Sequence, residues 1–411
     1  MNPIARRSKR LARSLALAGA MLACGGVAVA QEFSLNGVVS QGLSYDSDLG
    51  LDGGVGSFST TTSLGVQATY ETDESEASLS SSVSYRAVFG DDEDTSDLDG
   101  FRPNLNGSAR FNFGRLTLSE AISFRIDNVA FTDFQSDGSI NPDGIFTDSD
   151  ARRLDFSFTQ GVGYALSQRN SLNVSAGVSL TRFSETDDQL EDGDRYFGSI
   201  GLSRAISPRL SIGISAVASR FNTGSTTDET RGTSVGVNFG FSRTFQDDVD
   251  FSGSVGLRYV RVREETFIAP FGTIESEENN LGATGGFSFS YDVGNTDLSA
   301  ALSQNVSPTE DGDIEEFTTL SAGLSHAINS RQSFNVGMSF TRRTNVTDTV
   351  GNSGGSEQEF FGRISPSFNY RLTQNWSANL GYSFRVSNDD QGTEVSNAVF
   401  LGFSRPLRIF P

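Results

Sequence analysis

The stretch Leu281-Gly282-Ala283-Thr284-Gly285-Gly286-Phe287-Ser288-Phe289-Ser290-Tyr291-Asp292 decides how this chain is read. Leu281, Ala283, Gly285, Phe287, Phe289 and Tyr291 interleave with Gly282, Thr284, Gly286, Ser288, Ser290 and Asp292. A period of two belongs to a strand whose two faces meet different surroundings. The alternation returns in Trp376, Ala378, Leu380, Tyr382, Phe384 and Val386, interleaved with Ser377, Asn379, Gly381, Ser383 and Arg385. Followed outward in both directions, it marks 18 candidate strands between Phe33 and Phe403. Many runs of about 10 alternating residues, parted by polar turns, predict a barrel that shows lipid only every second side chain. The expected fold class is all-β: a transmembrane antiparallel up-and-down β-barrel of about 18 strands, within a range of 16–18.

Residues 1–30 are predicted to be a cleaved secretory signal peptide. Arg6, Arg7, Lys9, Arg10 and Arg13 form its basic region, Leu15 to Ala23 its apolar region, and Ala28-Val29-Ala30 its cleavage site. Residues 31–411 are then expected to be a single barrel domain. The one cysteine, Cys24, lies in the leader, so the mature chain has neither disulfide nor thiolate. No later stretch holds the 18 apolar residues of a membrane helix. A negative mean hydropathy suggests a soluble secreted protein, but alternation overrides it. The leader takes five of the 31 basic residues and none of the 51 acids, leaving 26 arginines, no lysine and a net charge of −25. That acidity argues against a nucleic-acid partner.

The connections alternate in length. Short ones include Gly114-Arg115, Ser207-Pro208-Arg209 and Gly294-Asn295-Thr296. Long ones fall near 46–57, 90–100, 131–151, 184–194, 222–232, 263–279, 307–316, 344–358 and 387–394. Tight periplasmic turns facing longer extracellular loops are expected of an outer-membrane barrel. Charged exceptions on the apolar phase, Glu120, Arg243 and Arg342, lie near strand ends. Pro366 removes a ladder donor, so either a bulge is expected there or the strand register is locally misassigned. Aromatic residues gather toward strand ends, as two interfacial belts would require.

The opposite phase is Ser, Thr, Asn, Gln and Gly with arginines. Arg86, Arg110, Arg125, Arg258, Arg363, Arg371 and Arg385 are the candidate pore-lining residues, and Asp127, Asp155 and Asp292 the main inward acids. The longest connection, 131–151, carries Asp133, Asp137, Asp143, Asp148 and Asp150 and is the candidate constriction loop. Inward charge can filter solutes by sign, or it can simply solvate a wide lumen. No Walker loop, zinc signature or nucleophile elbow occurs, so no cofactor or metal is expected. The sole histidine, His326, has no diagnostic nucleophile near it in sequence, and no enzyme activity is expected.

Signal peptide, strand count, loop alternation and an aromatic near the C-terminus together resemble proteobacterial outer-membrane β-barrels, in particular a family of β-barrel porins with some members linked to exopolysaccharide export. The chain departs from that pattern where Pro411 follows Phe410 and where Pro406 interrupts the last strand. The resemblance implies localisation in the outer membrane and partners that are lipid, lipopolysaccharide, the barrel-assembly machinery and, in a homotrimer, further copies of the chain. The expected function is passive passage of small hydrophilic solutes; the alternative is a non-channel accessory barrel for exopolysaccharide export or envelope integrity.

Overall fold

The computed structural model describes residues 32–47, 56–89, 99–128, 152–184, 192–224, 228–245, 248–268, 272–308, 314–345, 358–389 and 392–410. They form 18 strands: β1 (Glu32–Asp46), β2 (Ser57–Glu71), β3 (Ser75–Phe89), β4 (Gly100–Phe113), β5 (Leu116–Asn128), β6 (Arg152–Ala165), β7 (Asn170–Ser184), β8 (Gly193–Ser207), β9 (Leu210–Gly224), β10 (Asp228–Phe245), β11 (Val249–Ile268), β12 (Gly272–Val293), β13 (Thr296–Pro308), β14 (Ile314–Asn329), β15 (Gln332–Asn345), β16 (Gln358–Arg371), β17 (Ser377–Asp389) and β18 (Gly392–Phe410). Each pairs antiparallel with its sequence neighbours. β1 closes on β18 from Leu35↔Phe410 to Asp46↔Ala398, so every strand has a neighbour on both sides; the β12–β13 ladder stops short, at Gly285↔Gln304. Closure satisfies the backbone donors and acceptors within the wall, which a lipid-embedded sheet requires. Gly114 and Gly294 take φ of 62° and 63° in two-residue turns. That left-handed geometry matches strand twist, and glycine adopts it without strain.

The alternating faces separate cleanly. Val255, Leu257 and Leu281 keep 58%, 58% and 65% of their surface exposed, all on the same face. So wide an exposed apolar surface needs lipid as its solvent. No helix among the described residues is long and apolar enough to cross a membrane; the strands do so. The protein is an outer-membrane β-barrel. Cross-strand aromatic pairs sit toward both rims: Tyr45 with Phe58 at 4.9 Å and Tyr85 with Phe101 at 5.0 Å above, Phe241 with Phe251 at 5.5 Å below.

Three details differ from the sequence expectation. The stretches expected to loop over 222–232, 263–279 and 387–394 are mostly ladder, because β9 and β10 stay paired up to Gly224↔Glu229, β11 and β12 up to Ile268↔Gly272, and β17 and β18 up to Asp389↔Gly392. Pro366 causes no bulge: the ladder is interrupted between Ile364↔Phe384 and Ser367↔Gly381, which keep one register. Pro406 does not end β18; it pairs with Val38 on β1. At Pro366 the wall loses a donor without slipping, whereas two residues past Pro406 the β1–β18 register shifts by one, between Asn36↔Arg408 and Leu35↔Phe410. The leader, 1–30, lies outside the described residues.

Candidate functional site

The polar phase builds the inner wall. On its periplasmic part, hydroxyl faces hydroxyl across successive strands: Ser34–Thr69 at 2.6 Å, Ser78–Ser108 at 2.8 Å, Ser171–Ser203 at 2.6 Å, Ser252–Ser288 at 2.6 Å and Ser377–Ser404 at 2.7 Å. Small side chains that satisfy one another keep this wall thin and wettable. Against β10 to β16 the wall is scooped into a cavity of about 610 Å³, lined by Ser252, Ser288, Ser299, Ser321, Ser339 and Arg363 among others.

Arginines dominate the extracellular part. Arg102 meets Asp127 at 3.0 Å. Asp155 accepts from Arg153 at 2.8 Å, Arg125 at 3.4 Å and Thr181 at 3.2 Å. Arg385 reaches across β18 to Asp46 at 2.5 Å and to Ser396 at 2.8 Å. Arg343 grips Glu315 through two bonds of 2.5 and 2.6 Å and touches Glu359 at 3.2 Å. Arg102, Arg153 and Arg385 are buried; their guanidinium groups tie strands together against the wall. Arg363 differs. It is the register partner of Ser339 and of Arg385, and its Nε donates to the hydroxyls of Ser365 at 2.9 Å and Ser383 at 3.2 Å. Among the described residues it has no carboxylate partner, and the buried Ser339 hydroxyl has no hydrogen-bond partner.

One strand leaves its ladder on the inner side of the wall. β12 and β13 pair from Val293↔Thr296 to Gly285↔Gln304 and no further. Beyond Gln304, β13 crosses the inner face of β12 toward β11. Arg258, on the inner face of β11, donates to Asn305 Oδ1 at 2.5 Å and to the Val306 carbonyl at 3.3 Å. Val306 lies against Gly282: a Cβ placed on Gly282 would come 2.4 Å from Val306 Cγ2. Val260, Val262, Val306 and Ile314 form an apolar cluster, each at most 2% exposed, on a wall that is otherwise polar. Burial of four aliphatic side chains holds the β13–β14 end inward, at up to about 1.5–3 kcal/mol each.

The seven candidate arginines all lie on the inner phase, at different depths. Arg363 and Arg385 are adjacent; Arg86, Arg125 and Arg258 stand in the extracellular part; Arg110 and Arg371 sit near periplasmic turns. Arg86 bonds Thr61 at 3.3 Å. Asp133, Asp137, Asp143, Asp148 and Asp150 lie outside the described residues. Sequence reasoning missed Arg102, Arg153, Arg343, Asp46, Glu315 and Glu359, several of which it had left at strand ends or in loops. It also missed the β13–β14 constriction, whose only sequence signal is valine on the inward phase at 260 and 262. His326 lies on the outer face near a periplasmic turn, its Nδ1 2.8 Å from Thr296 Oγ1.

A family model described as MetA-pathway of phenol degradation matches residues 89–266. No curated protein matches the chain. Among solved structures the barrel is similar to OccAB4 of Acinetobacter baumannii, with 11% identity over 92% of this chain and 98% of that one and a TM-score of 0.44. It is similar to OprD of Pseudomonas aeruginosa, with 12% identity, 92% and 96% coverage and a TM-score of 0.43. It is also similar to the siderophore receptor PirA of Pseudomonas aeruginosa, with 8% identity, 91% and 80% coverage and a TM-score of 0.44.

Proposed function

We propose that this barrel is a porin-like channel for passive passage of small hydrophilic solutes, with a weak preference for anions. One observation carries the reading: Arg363 lines the lumen cavity next to Arg385, and its Nε donates to the hydroxyls of Ser365 and Ser383, with no carboxylate among its described hydrogen-bond partners. A guanidinium that meets hydroxyls and a second arginine on a wet wall raises the local concentration of anions. The test is reconstitution of the folded protein in planar bilayers under a salt gradient. Ion-permeable steps with a reversal potential toward the anion are expected; no steps, or strong cation selectivity, would overturn the reading. A silent barrel whose loss depletes surface polysaccharide would favour the accessory role instead. Aromatic solutes belong in the same assay. The matched family's description names phenol degradation, and Phe197 and Phe400 lie half-exposed on the inner wall.

A further inference from the structure

We propose that the extracellular end of the β13–β14 hairpin is a gate built into the wall, one strand with two alternative seats. In the seat described above, β13 leaves the β12 ladder after Gln304 and lies inside the barrel. The other seat is the ladder continued. It would set Asn305 against Thr284, Val306 against Ala283, Ser307 against Gly282 and Pro308 against Leu281, one rung after another from Gly285↔Gln304. That register keeps the alternation. Val306 and Pro308 would join the exposed Ala283 and Leu281 on the lipid face, and Asn305 and Ser307 would join Thr284 and Gly282 on the lumen face. Both strands thus carry the residue pattern of a pairing that the wall does not make. The hairpin end is displaced as a unit, since β13 and β14 stay paired up to Pro308↔Ile314. By phase, Val306 and Ile314 belong to the hairpin's outer face, whereas Val260 and Val262 belong to the inner face of β11. Their burial in one cluster means that the hairpin's lipid face has slid behind the neighbouring wall.

Each seat has its own support. Aliphatic burial favours the recessed one, as do the bonds from Arg258 to Asn305 and to the Val306 carbonyl. Glu316, which accepts from Gln304 at 2.8 Å on the same outer phase, adds to it. Moving outward would carry that carboxylate toward lipid, so the recessed seat is the resting one. The ladder seat is favoured by the edge of β12 beyond Gly285, which no described strand pairs. An open sheet edge at membrane depth is costly, and a continued ladder would close it. Two discrete packings of one element, each satisfied in a different way, make a switch rather than a hinge that bends continuously. The recessed end stands in the lumen beside Arg258 and the ladder seat vacates that space, so exchange widens the path. The gate rests on the channel reading, which supplies what is gated; the strand movement is read separately from it.

Adjacent residues on opposite faces of β12 tell the seats apart. In the recessed seat a Cβ at Gly282 lies 3.3 Å from Val306 Cβ, close to disulfide reach. In the ladder seat Val306 meets Ala283 instead. The full chain in a Cys24→Ser background, folded in lipid, is oxidised with diamide. Gly282→Cys with Val306→Cys should cross-link fast, and Ala283→Cys with Val306→Cys slowly but to completion. Val260→Ser removes apolar cover from the recessed seat alone and should speed the second cross-link roughly tenfold. In planar bilayers, single-channel steps from the Ala283 trap should exceed those from the Gly282 trap roughly twofold, and reduction with dithiothreitol should abolish the difference. No cross-link at Ala283 under conditions that complete the one at Gly282 would overturn the proposal, as would an unchanged rate with Val260→Ser. Equal steps from the two traps would overturn the gate and leave the channel standing. A barrel silent in both traps would overturn the channel reading and the gate with it.

Discussion

Replacing Arg363 by Glu changes the charge on the cavity wall by two units while leaving Ser365, Ser383 and Ser339 in place. For an ion passing at about 7 Å in water, each unit of wall charge is worth about 0.6 kcal/mol unscreened, and about 0.3 kcal/mol at 0.1 M salt. Two units, acting with opposite sign on anion and cation, shift their relative permeation by about 1.2 kcal/mol, roughly eightfold toward the cation. At 1 M salt the Debye length falls to about 3 Å and the same arithmetic leaves roughly 1.5-fold. Arg363→Gln should give about half the effect on a logarithmic scale. The assay is the reversal potential under a salt gradient in planar bilayers, measured at both ionic strengths. An unchanged ratio at low salt, or a change that salt does not diminish, would refute the assignment of Arg363 as the uncompensated luminal charge. Arg385→Gln serves as contrast: Asp46 would lose its partner and the wall would weaken, so that variant should reduce thermal stability and shift selectivity toward cations.

Glu315→Gln should destabilise the folded barrel by about 3 kcal/mol, the lower end for breaking a buried pair, since Arg343 retains Glu359. The readout is the midpoint of heat-dependent gel mobility, and a double Glu315→Leu, Arg343→Leu variant as unstable as the single one would contradict a paired role. Gly381→Ala places a Cβ 1.9 Å from Phe400 Cζ, so the ring must leave the wall; a loss of about 1–3 kcal/mol and a smaller single-channel conductance are expected, and an unchanged conductance would argue against the ring's displacement into the lumen. Above the lipid band, Arg261 holds the exposed Glu277 carboxyl below its ordinary value, chiefly through their hydrogen bond and with help from Asn279. A depressed carboxyl contributes stability above its unfolded value and loses it as pH falls through the folded one. The pair should therefore persist at neutral pH and dissolve under acid, and Arg261→Ala should return Glu277 to ordinary titration, as followed by carboxyl carbon resonances.

The alternation exposed the wall because lipid and water impose opposite demands on successive residues; charged exceptions on the outer phase such as Glu120, Arg204, Arg243 and Arg342 stand within a few residues of strand ends. It lost authority where lipid ends. At Tyr259-Val260-Arg261-Val262-Arg263 the period of two continues but its chemistry inverts. Outside, arginines meet water; inside, valines pack under β13. The loop expected over 263–279 opens at the end of this run, yet the ladder continues there to Ile268↔Gly272. Asp46, Glu315 and Glu359 escaped for a related reason: they stand at strand ends, and their partners Arg385 and Arg343 come from other strands, beyond any local spacing. Prolines misled in the other direction. Pro366 and Pro406 lack a donor, yet the strands run on through both: the register holds across Pro366 and shifts by one only beyond Arg408.

The central claim is the assignment of faces and the strand-borne constriction, and a single scan along β11 tests both. Single cysteines from Ser252 to Arg263 in a Cys24→Ser background would be challenged with a membrane-impermeant maleimide in the folded, lipid-embedded protein. Positions 252, 254 and 258 should label from the aqueous lumen, and 255 and 257 should stay dark in lipid. Positions 260 and 262 should stay dark under β13, while 261 and 263 should label from the outside water. Labelling without a period of two, or free labelling at Val260 and Val262, would contradict the account.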